Sequence, residues 1–186
     1  MHRVFKKDQI LTIPNLLSVV RFALIPLIVW LYIGKQEYNL AVVVILVSGA
    51  TDIIDGFIAR HFNMVSDFGK ILDPLADKLT QAAVIICLAA KHKLMLVLII
   101  LFAVKEVIMG TFGFLAIKKK DSVNSAKWYG KANTVILYVV MMLLILFPSM
   151  PEALSNALIV LCGAMMLLSL LLYTRIYIKL FSDKTK

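Results

Sequence analysis

At 186 residues, 61% hydrophobic and with a mean hydropathy of +0.91, the chain holds more apolar surface than a water-soluble core of this size can enclose. That excludes an ordinary soluble domain and calls for lipid as solvent. The formal net charge of +9 does not indicate a nucleic-acid partner, because the basic residues sort by side of a membrane. Cys87 and Cys162 lie in apolar runs with no CxxC partner, which argues against a disulfide framework or thiolate metal site and assigns both to packing.

In chain order, residues 1–13 (MHRVFKKDQILTI) interleave Val4, Phe5, Ile10, Leu11 and Ile13 with Arg3, Lys6 and Lys7. This suits a short helix in the cytoplasmic interface, the alternative being a disordered basic tail. The region of Thr12 and Pro14 starts the first span, since proline is tolerated in a first helical turn. A spanning helix takes roughly 20 mostly apolar residues, and six segments qualify: about 15–33, 39–59, 73–90, 94–117, 133–148 and 153–172. The first follows a charged stretch without a small-residue cleavage site, so it reads as a span rather than a signal peptide. Pro148 and Pro151 close the fifth and open a short outer turn. The expectation is an all-α, polytopic membrane protein, six transmembrane helices with a short N-terminal interfacial helix, in one domain over 1–186. No internal repeat is visible, which weighs against an inverted-repeat transporter.

With six spans both termini share one side. That side collects Arg3, Lys6, Lys7, Arg60, Lys70, Lys118, Lys119, Lys120, Lys127, Lys131, Arg175, Lys179, Lys184 and Lys186, and the other only Lys35, Lys91 and Lys93. Fourteen against three is a positive-inside signal. It predicts a multi-pass protein of the cell membrane with cytoplasmic termini, whose basic face attracts anionic headgroups. Trp30, Tyr32, Trp128, Tyr129, Tyr173 and Tyr177 near span ends read as interfacial anchors.

The informative chemistry is carried by ionisable residues that lipid excludes. Asp52 and Asp55 stand three apart near the end of the second segment, and Gly69, Asp73 and Asp77 are spaced by fours at the start of the third. Helical spacing puts each carboxylate pair on one face. Four like charges facing one another repel, so something cationic must sit between them. The donors are hard oxygens without His or Cys on their faces, which suits Mg²⁺ or Mn²⁺. Two such ions nearly neutralise four carboxylates and suit in-line displacement at phosphorus. Gly56 follows Asp52 by four and Ala59 follows Asp55 by four. Such a face lets a flat group approach the backbone, or else packs against a neighbouring helix. Arg60 adds a cation where a phosphate can be held.

Asp52, Asp55, Gly56, Ala59, Arg60, Gly69, Asp73 and Asp77 form D-x2-D-G-x2-A-R-x8-G-x3-D-x3-D. This pattern resembles the CDP-alcohol phosphatidyltransferase family, and the plan of six spans agrees along the whole chain. The resemblance implies that Asp52, Asp55, Asp73 and Asp77 hold the metals, with Asp77 also the general base. It further implies that Gly56 and Ala59 face the cytidine and Arg60 the diphosphate, with Asn15, Asp52, Asp55 and Gly69 near the nucleotide. CDP-diacylglycerol as donor, a site open to cytoplasm and membrane, and a homodimer are implied likewise.

IPNLLSVVR at 13–21, FGKILDPLADK at 68–78 and WYGKANT at 128–134 are similar to the bacterial phosphatidylglycerophosphate synthases, which implies glycerol 3-phosphate as acceptor. Arg21, Lys105 and Lys131 are the candidates for its phosphate; Arg21 alternatively snorkels to the interface as an anchor. Lys105 precedes Glu106 where those synthases carry Arg, and lysine lacks the bidentate fork. The KANT run at 131–134 also resembles CDP-lipid cardiolipin synthases, whose acceptor is phosphatidylglycerol. Adjacent on a helix, Lys105 and Glu106 are expected to point apart and to need separate partners. A cation path through the bundle and a non-catalytic homologue are the other readings. The first needs polar steps reaching the far side, and the second leaves the intact carboxylate set without a purpose.

Overall fold

The computed structural model describes residues 12–62, 69–119 and 128–182. Among these every regular element is helical, as expected where lipid offers the backbone no hydrogen bonds. The elements are α1 (Ile13–Val29), continued by a π-helical turn (Trp30–Lys35), α2 (Tyr38–His61), α3 (Gly69–Ala89), α4 (Met95–Lys119), α5 (Trp128–Leu146) and α6 (Glu152–Ser182). The expected interfacial helix at 1–13 falls almost entirely outside the described residues.

Each expected span has its helix, and five stretches are long and apolar enough to cross a membrane: Pro14–Lys35, Tyr38–Ile58, Met95–Gly113, Trp128–Leu146 and Glu152–Ile178. The α3 helix is the exception, because Asp73, Asp77 and Lys78 fall within its first half. Two boundaries differ from the expected ones by five residues or more. The α5 helix begins at Trp128 because the polar run before Thr134 is also helical, and α6 continues to Ser182 because neither Gly nor Pro follows its apolar core. At ~1.5 Å per residue its 31 residues exceed the roughly 30 Å hydrocarbon thickness.

The chain forms two compact units, 1–87 and 88–186. In the first, α1 starts on Thr12, whose Oγ1 accepts from the Asn15 backbone N–H at 3.4 Å, with Pro14 in the opening turn. The π-helical turn ends at Gln36, in the left-handed region with φ 55°, which reverses the chain into α2. Helices α1 and α2 pack against one another. Ile28, Leu31, Tyr32, Ala41, Val42 and Ile45 are buried, and the rings of Tyr32 and Tyr38 meet edge to face at 5.2 Å.

In the second unit α6 packs on both α4 and α5. Its core includes Met95, Leu98, Leu137, Met141, Cys162 and Met166. Cys87 and Cys162 are both free and buried, as expected. The outward faces are apolar too: Ile53 is 73% exposed, Val107 68% and Ile100 66%. Exposure on that scale belongs to a surface in lipid. Trp30 and Trp128 also face outward, with Lys35 Nζ 5.3 Å from the Trp30 ring. Tyr32, Tyr129 and Tyr177 are buried instead, which corrects their reading as interfacial anchors. Their rings fill space between helices, as where Tyr129 meets Tyr173 at 4.6 Å.

The close approach of α5 and α6 depends on Gly130. A Cβ there would lie 3.0 Å from Tyr173 Cε2 and 3.1 Å from its Cζ. Gly130→Val is therefore expected to cost about 1 to 3 kcal/mol through overpacking, seen as a lowered thermal midpoint in detergent. Tyr173→Leu should recover part of the loss in the double variant, and strict additivity would refute this contact as the cause.

Candidate functional site

On α1, Asn15, Ser18 and Arg21 recur every third residue and are 3%, 0% and 2% exposed. They make a polar stripe on a helix whose Leu16, Val19 and Val20 face outward. Helix α2 presents Ser48 and Asp55, both buried, and the half-exposed Asp52. Arg21 joins the two helices. Its Nη1 lies 2.6 Å from Asp52 Oδ1 and its Nη2 donates to Asp55 Oδ2. Contact with both carboxylates from one guanidinium confirms that Asp52 and Asp55 share a helix face.

The fork is not a symmetric one. The Asp55 side chain is 3% exposed and that of Asp52 49%. Nη1 approaches Asp52 without the alignment of a hydrogen bond, and Nε, also buried, has no hydrogen-bond partner among the described residues. A guanidinium carries its charge at any pH in a protein, so this is a permanent cation held in a dry setting with its donors only partly used.

Helix α3 contributes the other two carboxylates. Ser18 Oγ lies 3.1 Å from the Pro14 carbonyl and also contacts Asp73 Oδ1; its single hydrogen goes to the carboxylate, the stronger acceptor. Gln81 Nε2 donates to Asp77 Oδ2 at 3.0 Å. The polar face of α1 thus reaches three of these four carboxylates, Asp52 and Asp55 through Arg21 and Asp73 through Ser18, and Asp77 stands one turn beyond Asp73 on α3. With Arg21 the four carboxylates sum to three formal negative charges, and their hard oxygen donors fit a divalent cation. Among the described residues no three His, Cys, Asp or Glu side chains converge on one point. Asp52 and Asp55 close on Arg21, Asp73 on Ser18 and Asp77 on Gln81.

The remaining candidates are placed as follows. Gly56 is half-buried in the last turns of α2, and Gly69 is buried at the start of α3. Ala59 and Arg60 belong to α2, and their side chains are outside the described set. In the second unit Lys105 is buried and Lys131 exposed in the first turn of α5. Lys105 Nζ lies 2.8 Å from Glu106 Oε1, which corrects the expectation that these neighbours point apart. The backbone does aim their Cβ atoms apart, but the four-carbon stem of lysine lets the ammonium swing back to the next residue. Ser18 and Gln81 escaped the sequence reading. Their signals were spacing: Ser18 stands midway between Asn15 and Arg21, and Gln81 stands four after Asp77.

Residues 11–174 match the CDP-alcohol phosphatidyltransferase family. The chain belongs to this family. It is 36% identical over 107 residues to the CMP-forming cardiolipin synthase of Streptomyces coelicolor, covering 55% of this chain and 50% of that protein. It is 38% identical over 110 residues to the CDP-diacylglycerol–glycerol-3-phosphate 3-phosphatidyltransferase of Rickettsia bellii, covering 58% of this chain and 61% of the relative. A third relative, a CMP-forming cardiolipin synthase and mitochondrial hydrolase fusion protein of Schizosaccharomyces pombe, is 40% identical over 103 residues, 55% of this chain and 17% of the fusion. The chain thus spans about half the length of the first of these and less than two thirds of the others.

For this family member the Arg21 fork sets a stability prediction. Removing one carboxylate from a buried pair leaves a charge without compensation, at about 3 to 5 kcal/mol. In the presence of chelator, Asp55→Asn should lose stability on that scale, whereas Asp52→Asn, at a half-exposed position, should lose under about 1 kcal/mol. Equal losses in thermal unfolding would contradict the asymmetric fork.

Proposed function

We propose that this protein transfers a phosphatidyl group from CDP-diacylglycerol to glycerol 3-phosphate, releasing CMP. The observation that carries the reading is the polar face of α1, which reaches Asp52 and Asp55 through Arg21 and Asp73 through Ser18 with Asp77 one turn further along α3, in a chain matching the phosphatidyltransferase family over 11–174. In this reading Asp52, Asp55, Asp73 and Asp77 hold Mg²⁺ or Mn²⁺, in two copies, which when bound neutralises the donor diphosphate. Gly56, Ala59 and Arg60 line the nucleotide side with Asn15 and Gly69. Asp77, oriented by Gln81, takes the proton of the acceptor hydroxyl. The acceptor oxygen bonds to the lipid-side phosphorus, the bond from that phosphorus to the CMP oxygen breaks, and CMP departs with the electron pair.

Phosphatidylglycerol is the second acceptor to consider, favoured by the likeness to the Streptomyces cardiolipin synthase and by Lys105 standing where an arginine fork is absent. Lys105 and Lys131 remain the acceptor-phosphate candidates of the second unit, and Lys105 must loosen from Glu106 to serve. The basic asymmetry of the chain supports cytoplasmic termini and a cytoplasm-facing site.

Purified protein in detergent with Mn²⁺ or Mg²⁺ is expected to release CMP from CDP-diacylglycerol when glycerol 3-phosphate is added. Release with phosphatidylglycerol alone would move the protein to the cardiolipin reaction, and release with neither would refute phosphatidyl transfer to these acceptors. Asp77→Asn should lower turnover by at least ~10²-fold while CDP-lipid binding persists. Asp52→Asn should lose both. Full activity in the Asp77 variant would remove the base assignment.

A further inference from the structure

The guanidinium of Arg21 occupies the position between Asp52 and Asp55 that electrostatics requires some cation to fill. Four features bear on what happens there when a divalent ion arrives. The residue is 2% exposed, so its charge cannot be screened by water. Both of its terminal nitrogens are directed at the two carboxylates, so the oxygens that would ligate a metal are the ones it holds. Among the described residues its Nε has no hydrogen bond and its Nη1 is poorly aligned, so no second set of hydrogen bonds from them anchors the group. The Asp52 end of the fork is half-exposed, which leaves one side open to an incoming ion.

We propose that Arg21 is a resident counter-cation that a divalent ion displaces from Asp52 and Asp55, so that guanidinium and metal compete for the same oxygens. This rests on the reading that those carboxylates hold metal. It goes further in giving α1 a role: the helix partly neutralises the acidic pair until metal binds, and it sets how tightly metal is held. A divalent ion and a guanidinium side by side repel, so occupancy of the pair by one weakens the other. The interaction belongs to the folded chain without substrate and is separable from catalysis.

The test measures Mn²⁺ binding to the full-length protein in detergent, by the loss of the free Mn²⁺ electron paramagnetic resonance signal, beside CMP release by the same preparations. Arg21→Gln removes the competitor and should tighten Mn²⁺ binding by about tenfold. It should also lower the thermal midpoint in chelator and recover it in saturating Mn²⁺. Arg21→Lys keeps the charge but loses the two-pronged grip, so its Mn²⁺ affinity should fall between those of the wild type and Arg21→Gln. If the glutamine variant does not fold, the lysine variant carries the test, and affinity at or below wild type in it overturns the exchange. Unchanged or weaker Mn²⁺ binding in folded Arg21→Gln overturns it too, while wild-type CMP release would leave phosphatidyl transfer standing. Tightened binding with no CMP release by the wild type from any acceptor reverses that outcome. Wild-type protein that binds no Mn²⁺ overturns the exchange outright.

Discussion

The constraint on which the first half of this protein depends is the presence of like charges in a setting that excludes water. Two aspartates on α2 would repel each other, and the buried Asp55 also pays for leaving solvent. Their accommodation depends on a guanidinium delivered by the neighbouring helix. Arg21 reaches both of them, and it can do so because Asn15, Ser18 and Arg21 share one face of α1 while the aliphatic residues beside them face outward. The same face brings Ser18 to Asp73. One polar stripe on α1 therefore links the carboxylate helices α2 and α3.

Many aliphatic residues outside that stripe follow the opposite rule. Helices in lipid gain little from hiding aliphatic side chains, since the tails are as apolar as leucine, so large residues such as Ile53, Ile100 and Val107 face outward. Close packing also occurs where small residues or rings permit it. Gly130 admits the Tyr173 phenol between α5 and α6, and Tyr32, Tyr129 and Tyr177 fill interior space that their positions near span ends did not suggest.

Much of the site was legible before the fold was known. The three-residue and four-residue spacings among Asp52, Asp55, Asp73 and Asp77 state which carboxylates share a face, because helical periodicity is a local property. The need for a cation between them was also legible. That a side chain of the chain itself supplies one was not, since Arg21 stands 31 residues before Asp52 and only helix packing brings them together. Lys105 and Glu106 show a different limit: their backbone directions do diverge, and the flexible lysine stem overrides the direction.

The sequence by itself determined the helical class, the position of the six helices and the family to which the acidic motif belongs. Each of these is written in composition or in short-range spacing. The tertiary structure decided which polar groups meet: Arg21 with Asp52 and Asp55, Ser18 with Asp73, and Tyr129 with Tyr173. The physical reason is the same throughout. Lipid enforces helices segment by segment, whereas the pairing of buried polar groups depends on the rotation of each helix about its axis, and that is set by the neighbouring helices.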